Sequence, residues 1–431
     1  MIMVIREINA NKTRIVGLQQ YSWLDYLIIT ILILYAGRGN TFFQSGSFVN
    51  NPIGVALPLI LSIFLALRWK IVFNKHFYLL IFCYFIYFIA ITIKFGEFRP
   101  TIFLSYCITF FVVYAMVKAL RFNLFLIYEK SLYLLSIIAL FLWLVQTTLG
   151  GDTLYGILSR IPNIGTFSYV TSEGLNAILY SVQPSTGSML HGIPIPRNCG
   201  YAWEPGAFAV YICLAIYVNL FLVKNDKSRK FRLWVLLFAL LSTQSTTGYS
   251  ILLVILFFYF LNKNVSIIIL LSPILIVLLA LLFSLPFMGD KIADVFRQVA
   301  DIELIVENSI TSGASYAPGR FASFVIAFRD FMENPILGLG SVTELSWTNR
   351  AGASIGAISG IGYLLAQFGV IGFLFFIIST VSSSALFAKR HNYKGTFLLL
   401  LLILLISVSY NILFLPVVMS FWGYRLFNPN D

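Results

Sequence analysis

Charge is scarce in this chain: 11% of its 431 residues are Asp, Glu, Lys or Arg, while 59% are hydrophobic. Soluble globular domains carry about 25% charged residues, so a water-soluble globule is excluded and an integral membrane protein is implied. Histidine is scarcer still, with 3 residues, and the 4 cysteines (Cys83, Cys107, Cys199, Cys213) are scattered. Neither a disulfide framework nor a metal site is indicated. Nothing resembles a nucleotide-binding glycine loop or a nucleophile elbow, and no small-residue cleavage pattern follows the N-terminal basic residues. The first apolar run is therefore expected to be a retained helix. No internal repeat is visible, which leaves inverted-repeat transporters without support.

What is abundant is apolar sequence in blocks. A spanning helix needs about 20 apolar residues, and candidate runs lie near 22–36, 53–68, 76–93, 100–119, 131–149, 205–223, 232–246, 248–262, 265–285, 356–388 and 396–412. Residues 413–427, interrupted by Pro416 and Trp422-Gly423, add a short twelfth helix or a re-entrant piece. The expected fold class is an all-α polytopic membrane protein of about eleven or twelve transmembrane helices, one membrane domain over 1–431.

The net charge of +12 is spread in short basic clusters between apolar runs rather than in one patch. That pattern orients membrane helices and argues against nucleic acid as a partner. With a cytoplasmic N-terminus, eighteen of the 29 basic residues fall on inner segments, including Arg68–Lys75, Lys118–Lys130, Lys224–Arg232, Lys263 and Lys389–Lys394. A single helix over 232–262 would move Lys389–Lys394 outside, so two helices broken at Ser242–Gly248 are expected.

Two outer segments are long. Residues 150–203, with paired glycines and several prolines, should be loop with little regular structure. Residues 286–352 should form amphipathic helices over Asp290–Glu307 and Gly319–Met332, where apolar residues recur at helical spacing among charges.

The charged residues worth most attention lie on these segments. Arg197-Asn-Cys-Gly-Tyr-Ala-Trp-Glu204-Pro205-Gly-Ala-Phe208 stands where water gives way to an apolar run. Pro205 suits the first turn of a helix and Glu204 the capping position before it, so the two ends of the motif could be a cap and its arginine partner. Ionisable groups at the hydrocarbon boundary also mark sites, with Arg197 binding a diphosphate and Glu204 acting as a base or orienting one. Arg320, at the start of the second amphipathic helix, favours an anion. Arg329, half a turn out of phase with it, is expected to pair with Asp330 or Glu333. The hydroxyl-rich Ser242–Tyr249 stretch either packs helices or contacts sugar. His191 is expected to be a solvated loop histidine.

Taken in order, Arg-x-x-Gly-x-x-x-Glu-Pro-Gly-x-Phe ahead of a helix, a Ser-Thr-Gly turn, Gly319-Arg320-Phe321, Asn334-Pro-Ile-Leu-Gly-Leu-Gly340 and Gly362-Tyr-Leu-Leu-Ala-Gln-Phe-Gly369-Val-Ile-Gly372 resemble the O-antigen polymerase and O-antigen ligase superfamily. The resemblance covers about residues 195–375 by motif. It implies a GT-C-like helical fold in the bacterial inner membrane, with two long periplasmic loops, 150–203 and 286–352, and an active site on the periplasmic side. It implies a metal-independent, inverting glycosyltransferase without cofactor, acting on oligosaccharide carried by undecaprenyl diphosphate among membrane lipid. A chain-length regulator and a flippase are candidate partners. The His-Asn pair usual in ligases is missing where this chain reads Trp347-Thr-Asn349-Arg350, which favours repeat-unit polymerisation into O-antigen, capsule or exopolysaccharide over ligation to lipid A core. A flippase for lipid-linked oligosaccharide is the rival from another class. Carried onto this chain, the catalytic candidates are Arg197, Glu204 and Arg320. The substrate-binding candidates are Tyr201, Trp203, Thr247, Tyr249, Arg329, Asn349 and Arg350.

Overall fold

The computed structural model describes residues 21–37, 52–158, 160, 165–169, 172–176, 178–182, 188–190, 193–224, 226–263, 301–313, 316, 318–356 and 359–428. Its helices are α1 (Trp23–Ala36), α2 (Pro52–Arg68), α3 (Lys75–Phe95), α4 (Pro100–Leu120), α5 (Asn123–Leu149), α6 (Gly151–Leu158) and α7 (Pro205–Tyr217). They continue with α8 (Arg229–Ser242), α9 (Thr246–Lys263), α10 (Ile302–Ser312), α11 (Arg320–Glu333), α12 (Trp347–Arg350), α13 (Gly360–His391), α14 (Leu398–Ser409), α15 (Pro416–Trp422) and α16 (Tyr424–Phe427). The apolar run 265–285, the stretch 290–300 of the first expected amphipathic helix and His191 lie outside the described residues.

Among the described residues, 6 helices are long and apolar enough to cross a membrane, and Trp23–Ala36, Ala56–Arg68 and Leu398–Ser409 are shorter apolar helices. This is the all-α architecture of a polytopic membrane protein. The organising element is α7, which runs on through a π-helical turn at Val218–Leu222. Its apolar window is 94% buried, against 44% or less for the other long helices, so α7 is the central post. It packs against α5, α8 and α9. Pro205 at its first turn lacks the N–H that would be unpaired there, and no charged residue interrupts the helix.

α8 and α9 are separate helices, broken at Thr243–Ser245 where Gln244 takes a left-handed conformation (φ 49°). The expected break is therefore present, and both helices lean on α7. At the far end of α7 a buried polar network ties the bundle: Arg232 Nε lies 2.9 Å from Glu129 Oε1, and Asn219 Nδ2 donates to the same oxygen at 2.7 Å. The Arg390 guanidinium sits 3.9 Å from the centre of the Phe122 ring, and Asn262 donates to the Lys394 carbonyl at 2.7 Å. The basic segments Lys118–Lys130, Lys224–Arg232, Lys263 and Lys389–Lys394 thus gather at one end of the bundle.

The run 356–388 is not one continuous helix. Gly369 has φ 61° and ψ −163°, a region only glycine enters without strain, and it splits α13. A broken helix inside an apolar bundle leaves backbone groups that water cannot satisfy. The Pro335–Gly340 loop supplies the partners. Leu339 and Gly340 N–H donate to the Ala366 and Gln367 carbonyls at 2.9 and 2.8 Å, and Val370 N–H donates to the Pro335 carbonyl at 2.8 Å. Gly338 (φ 68°) lies so close that a Cβ there would meet the Gln367 backbone. The Asn334–Gly340 and Gly362–Gly372 motifs are therefore two halves of one backbone joint.

Residues 150–203 hold more regular structure than expected. Besides α6 they form an antiparallel sheet of β1 (Gly165–Tyr169), β2 (Ser172–Asn176) and β3 (Ser181–Val182), and a hairpin of β4 (Ser188–Leu190) and β5 (Ile193–Ile195). Short local pairings of this kind need no long hydrophobic alternation, which is why composition alone read as loop.

Candidate functional site

The irregular segment following β5 leads into the head of α7 across the α8–α9 turn. Asn198 fixes the crossing: its N–H donates to the Ser242 carbonyl at 3.0 Å and its Nδ2 to Ser242 Oγ at 2.9 Å. Next to it, Arg197 Nε donates to the Thr243 carbonyl at 3.1 Å. The hydroxyl-rich turn is thus the dock for the arginine segment.

Glu204 occupies the N-cap position of α7 in extended conformation (φ −150°, ψ 158°), yet its side chain makes no capping hydrogen bond. Its carboxylate instead faces Arg320, with Oε1 3.4 Å from Nη2. Arg320 begins α11 and reaches three further groups. Nη1 donates to Thr247 Oγ1 at 3.1 Å, Nη2 donates to the Tyr410 hydroxyl, and the guanidinium lies 4.7 Å from the centre of the Tyr410 ring. Trp203 meets the same ring edge-on at 6.0 Å, and Thr247 and Ser409 hydroxyls are 3.0 Å apart. Gly206 makes the approach possible, because a Cβ there would overlap the Tyr410 hydroxyl and press on Arg320.

The electrostatics favour an anion. Two helix N-termini, those of α7 and α11, come together here, and neither has a side-chain cap. The N-terminal ends of the two helix dipoles add partial positive charge to that of Arg320. Arg197 lies within electrostatic range of Tyr410 and Cys199 and has no ion pair among the described residues. The Arg320 and Glu204 side chains are 39% and 29% exposed, so a ligand can reach both. Cys199 is fully buried, and burial pushes its thiol far above the usual range, with Arg197 opposing only in part. It is no nucleophile.

The expected site residues separate into groups. Trp203, Glu204, Thr247 and Arg320 meet around Tyr410, with Arg197 beside them. Tyr201 stands behind, buried between Phe208 and Tyr211. The Tyr249 hydroxyl spans the turn to the Leu241 carbonyl at 2.9 Å. Arg329, Asn349 and Arg350 belong to a second cluster at the other end of α11. There the Arg329 guanidinium lies 4.2 Å from the centre of the Trp347 ring, Arg350 pairs with Glu333, and Asn349 Nδ2 donates to the Thr343 carbonyl at 2.6 Å. Arg329 thus stacks on Trp347, and of the two carboxylates expected for it, Glu333 pairs with Arg350 instead. Asp330 is buried, accepts the Trp347 N–H at 2.7 Å, and has its carboxyl pushed up to about 6 by burial.

Tyr410 and Ser409 escaped sequence reasoning. The signal available was slight: a tyrosine ending an apolar run, followed by Asn411 and, a few residues on, Pro416. Among the described residues no three His, Cys, Asp or Glu side chains gather as a metal site would require.

No protein-family model matches the chain, and no curated protein is significantly similar to it in sequence. The superfamily resemblance therefore rests on its ordered short motifs. Four of those motifs have physical tasks in the fold: the arginine segment docks on the hydroxyl-rich turn, and the two glycine motifs close the break in α13.

Proposed function

We propose that the chain is a membrane glycosyltransferase that polymerises oligosaccharide repeat units carried on undecaprenyl diphosphate, working at the head of α7. One observation carries this reading: Arg320 and Glu204 meet where the N-termini of α7 and α11 converge, beside Arg197, at a half-open end of the bundle. A diphosphate suits that place, since it accepts several charge-assisted hydrogen bonds from arginine and from backbone amides.

In the proposed reaction the acceptor hydroxyl attacks the anomeric carbon, the carbon–oxygen bond to the lipid diphosphate breaks, and the configuration inverts. Arg320 and Arg197 neutralise the charge that grows on the departing diphosphate. The incoming diphosphate competes for the Arg320 guanidinium and frees Glu204, which takes the proton of the acceptor hydroxyl. Tyr410 and Thr247 hold Arg320 in place through their hydroxyls. The basic segments at the opposite end, with the charge rule for inner loops, support a periplasmic reading of this end.

The test is reconstitution in proteoliposomes with a defined undecaprenyl-diphosphate oligosaccharide. A ladder of lengthened lipid-linked glycans supports the reading. Transfer to lipid A core would make the protein a ligase, and movement across the bilayer without a new bond would make it a flippase.

A further inference from the structure

α3 and α13 come together near the break in α13 and part towards the basic end of the bundle. They meet at Tyr87, whose hydroxyl lies 2.8 and 3.0 Å from the Leu337 and Gln367 carbonyls and whose ring centre is 5.9 Å from that of Phe368. Nearer the basic end the two helices leave a groove of about 410 Å³, bordered by α3, α13 and α16. An adjoining cavity of about 160 Å³ shares Leu80, Cys83 and Phe375 with it and reaches Tyr84, Phe414 and Trp422.

The lining changes character along the groove. Leu79, Cys83, Phe375 and Ile378 form its apolar part, and Leu79 and Ile378 are 57% and 64% exposed, so it stands open to the hydrocarbon. The other end carries His76 and Arg425. His76 stands seven residues before Cys83, about 10 Å along a helix. Tyr424 packs on Phe122 with ring centres 4.8 Å apart, which sets α16 among the basic segments. No Asp or Glu borders the groove among the described residues.

Arg425 supplies the decisive observation. Its side chain is exposed and has no ion pair among the described residues. Its N–H donates to Ser383 Oγ at 3.1 Å, which holds its backbone level with Ser382. The Ser382 hydroxyl borders the groove and makes no hydrogen bond among the described residues.

These features narrow the occupant. A guanidinium, an imidazole and a free hydroxyl at the mouth of an apolar groove match an anionic head joined to a hydrocarbon tail. Free phosphate would leave the apolar length unfilled, and an uncharged apolar ligand would leave Arg425 unmatched. The size agrees. A cavity of about 150 Å³ takes a benzene, so this groove has room for about sixteen carbons, one acyl chain.

We propose that the groove binds one anionic phospholipid from the leaflet at the basic end, with its phosphate on Arg425 and His76, its glycerol esters at Ser382 and one acyl chain running between α3 and α13 towards Phe375. The lipid fills the gap that opens where Tyr87 no longer ties the two helices. The site lies at the opposite end of the bundle from Arg320 and does not rest on the glycosyltransferase reading.

The test is photo-labelling of the full-length protein in phosphatidylcholine vesicles that carry a trace of a lipid with a diazirine in its acyl chain, either phosphatidylglycerol or phosphatidylcholine. Labelled peptides are identified by mass spectrometry. The phosphatidylglycerol probe is expected to label residues 76–84 and 371–382 about fivefold more than the phosphatidylcholine probe does, the effect of one cationic side chain at a membrane surface. The exposed Phe141 and Leu144 of α5 should take both probes alike. Arg425→Gln, melting as the wild type does, should bring the ratio in the groove down to that of the α5 surface. Equal labelling of the groove by the two probes in the wild type, or an unchanged ratio in Arg425→Gln, would overturn the site and leave only bulk lipid along these helices. No groove label from either probe would also overturn it, the face then being covered by a second copy of the chain. Where Arg425→Gln fails to fold, competition on the wild type decides. Groove label that falls as unlabelled phosphatidylglycerol replaces phosphatidylcholine, while label on α5 holds, supports the site; a parallel fall in both, or no fall, overturns it.

Discussion

The Tyr410 hydroxyl accepts a hydrogen bond from Arg320, whose guanidinium also lies 4.7 Å from the centre of the Tyr410 ring. One tyrosine therefore holds the arginine twice, through its edge and its face. Tyr410→Phe keeps the ring and removes the hydroxyl. Elongation of lipid-linked glycan by this variant should fall about ten- to hundredfold, the worth of one hydrogen bond to a charged group, at unchanged protein level in the membrane. An assay of initial elongation rate checks it, and a wild-type rate would show that Tyr410 does not position Arg320.

Gly206 should tolerate no side chain. Gly206→Ala places a methyl group where the Tyr410 hydroxyl now stands and displaces Arg320 from Glu204. The helix itself gains from alanine, so the variant should fold and still lose nearly all elongation. Thermal unfolding in detergent, read beside activity, separates these effects.

Gly369→Ala tests the joint in α13. Its backbone conformation costs a non-glycine residue about 1–3 kcal/mol, and the new Cβ would also press on the Ile336 carbonyl. A lowered melting temperature is expected, accompanied by loss of the Pro335–Gly340 docking as read by hydrogen exchange.

Asp330 predicts a pH effect of definite sign. Burial raises its carboxyl to about 6 in the folded chain, with the Trp347 N–H pulling the other way, while an unfolded Asp titrates near 3.9. Between these values the folded state binds the extra proton, so its stability is gained as pH falls through about 6 and lost as pH rises. Melting temperature should therefore decline from about pH 4 to pH 6 by a component that Asp330→Asn removes.

Much of the fold was legible because hydropathy is local. The long spans, the break near Gln244 and the helix at Arg320–Glu333 each announce themselves within a short window of sequence. The site was legible in part for the same reason: Glu204-Pro205 marks a helix start, and Arg320 follows a helix-starting glycine. What escaped depends on contacts between distant segments. Tyr410 joins Arg320 across ninety residues of chain, and a tyrosine at the end of an apolar run is only a slight signal of that. The break at Gly369 sits inside an unbroken apolar run, and it becomes intelligible only when Pro335–Gly340 is seen supplying the missing backbone partners. Arg329 was separable from Arg320 by helix phase, but its partner was not, because Trp347 reaches it from a different segment.

The account stands or falls on Arg320 and Glu204 acting together on a lipid diphosphate. The most direct measurement is the length distribution of lipid-linked glycan made in proteoliposomes by the wild type, Arg320→Lys and Glu204→Gln. The wild type should produce a ladder, and both variants, folded and present at equal amounts, should leave the single repeat unit, since lysine lacks the forked geometry and glutamine cannot accept the proton. Full ladders from both variants would contradict the central claim.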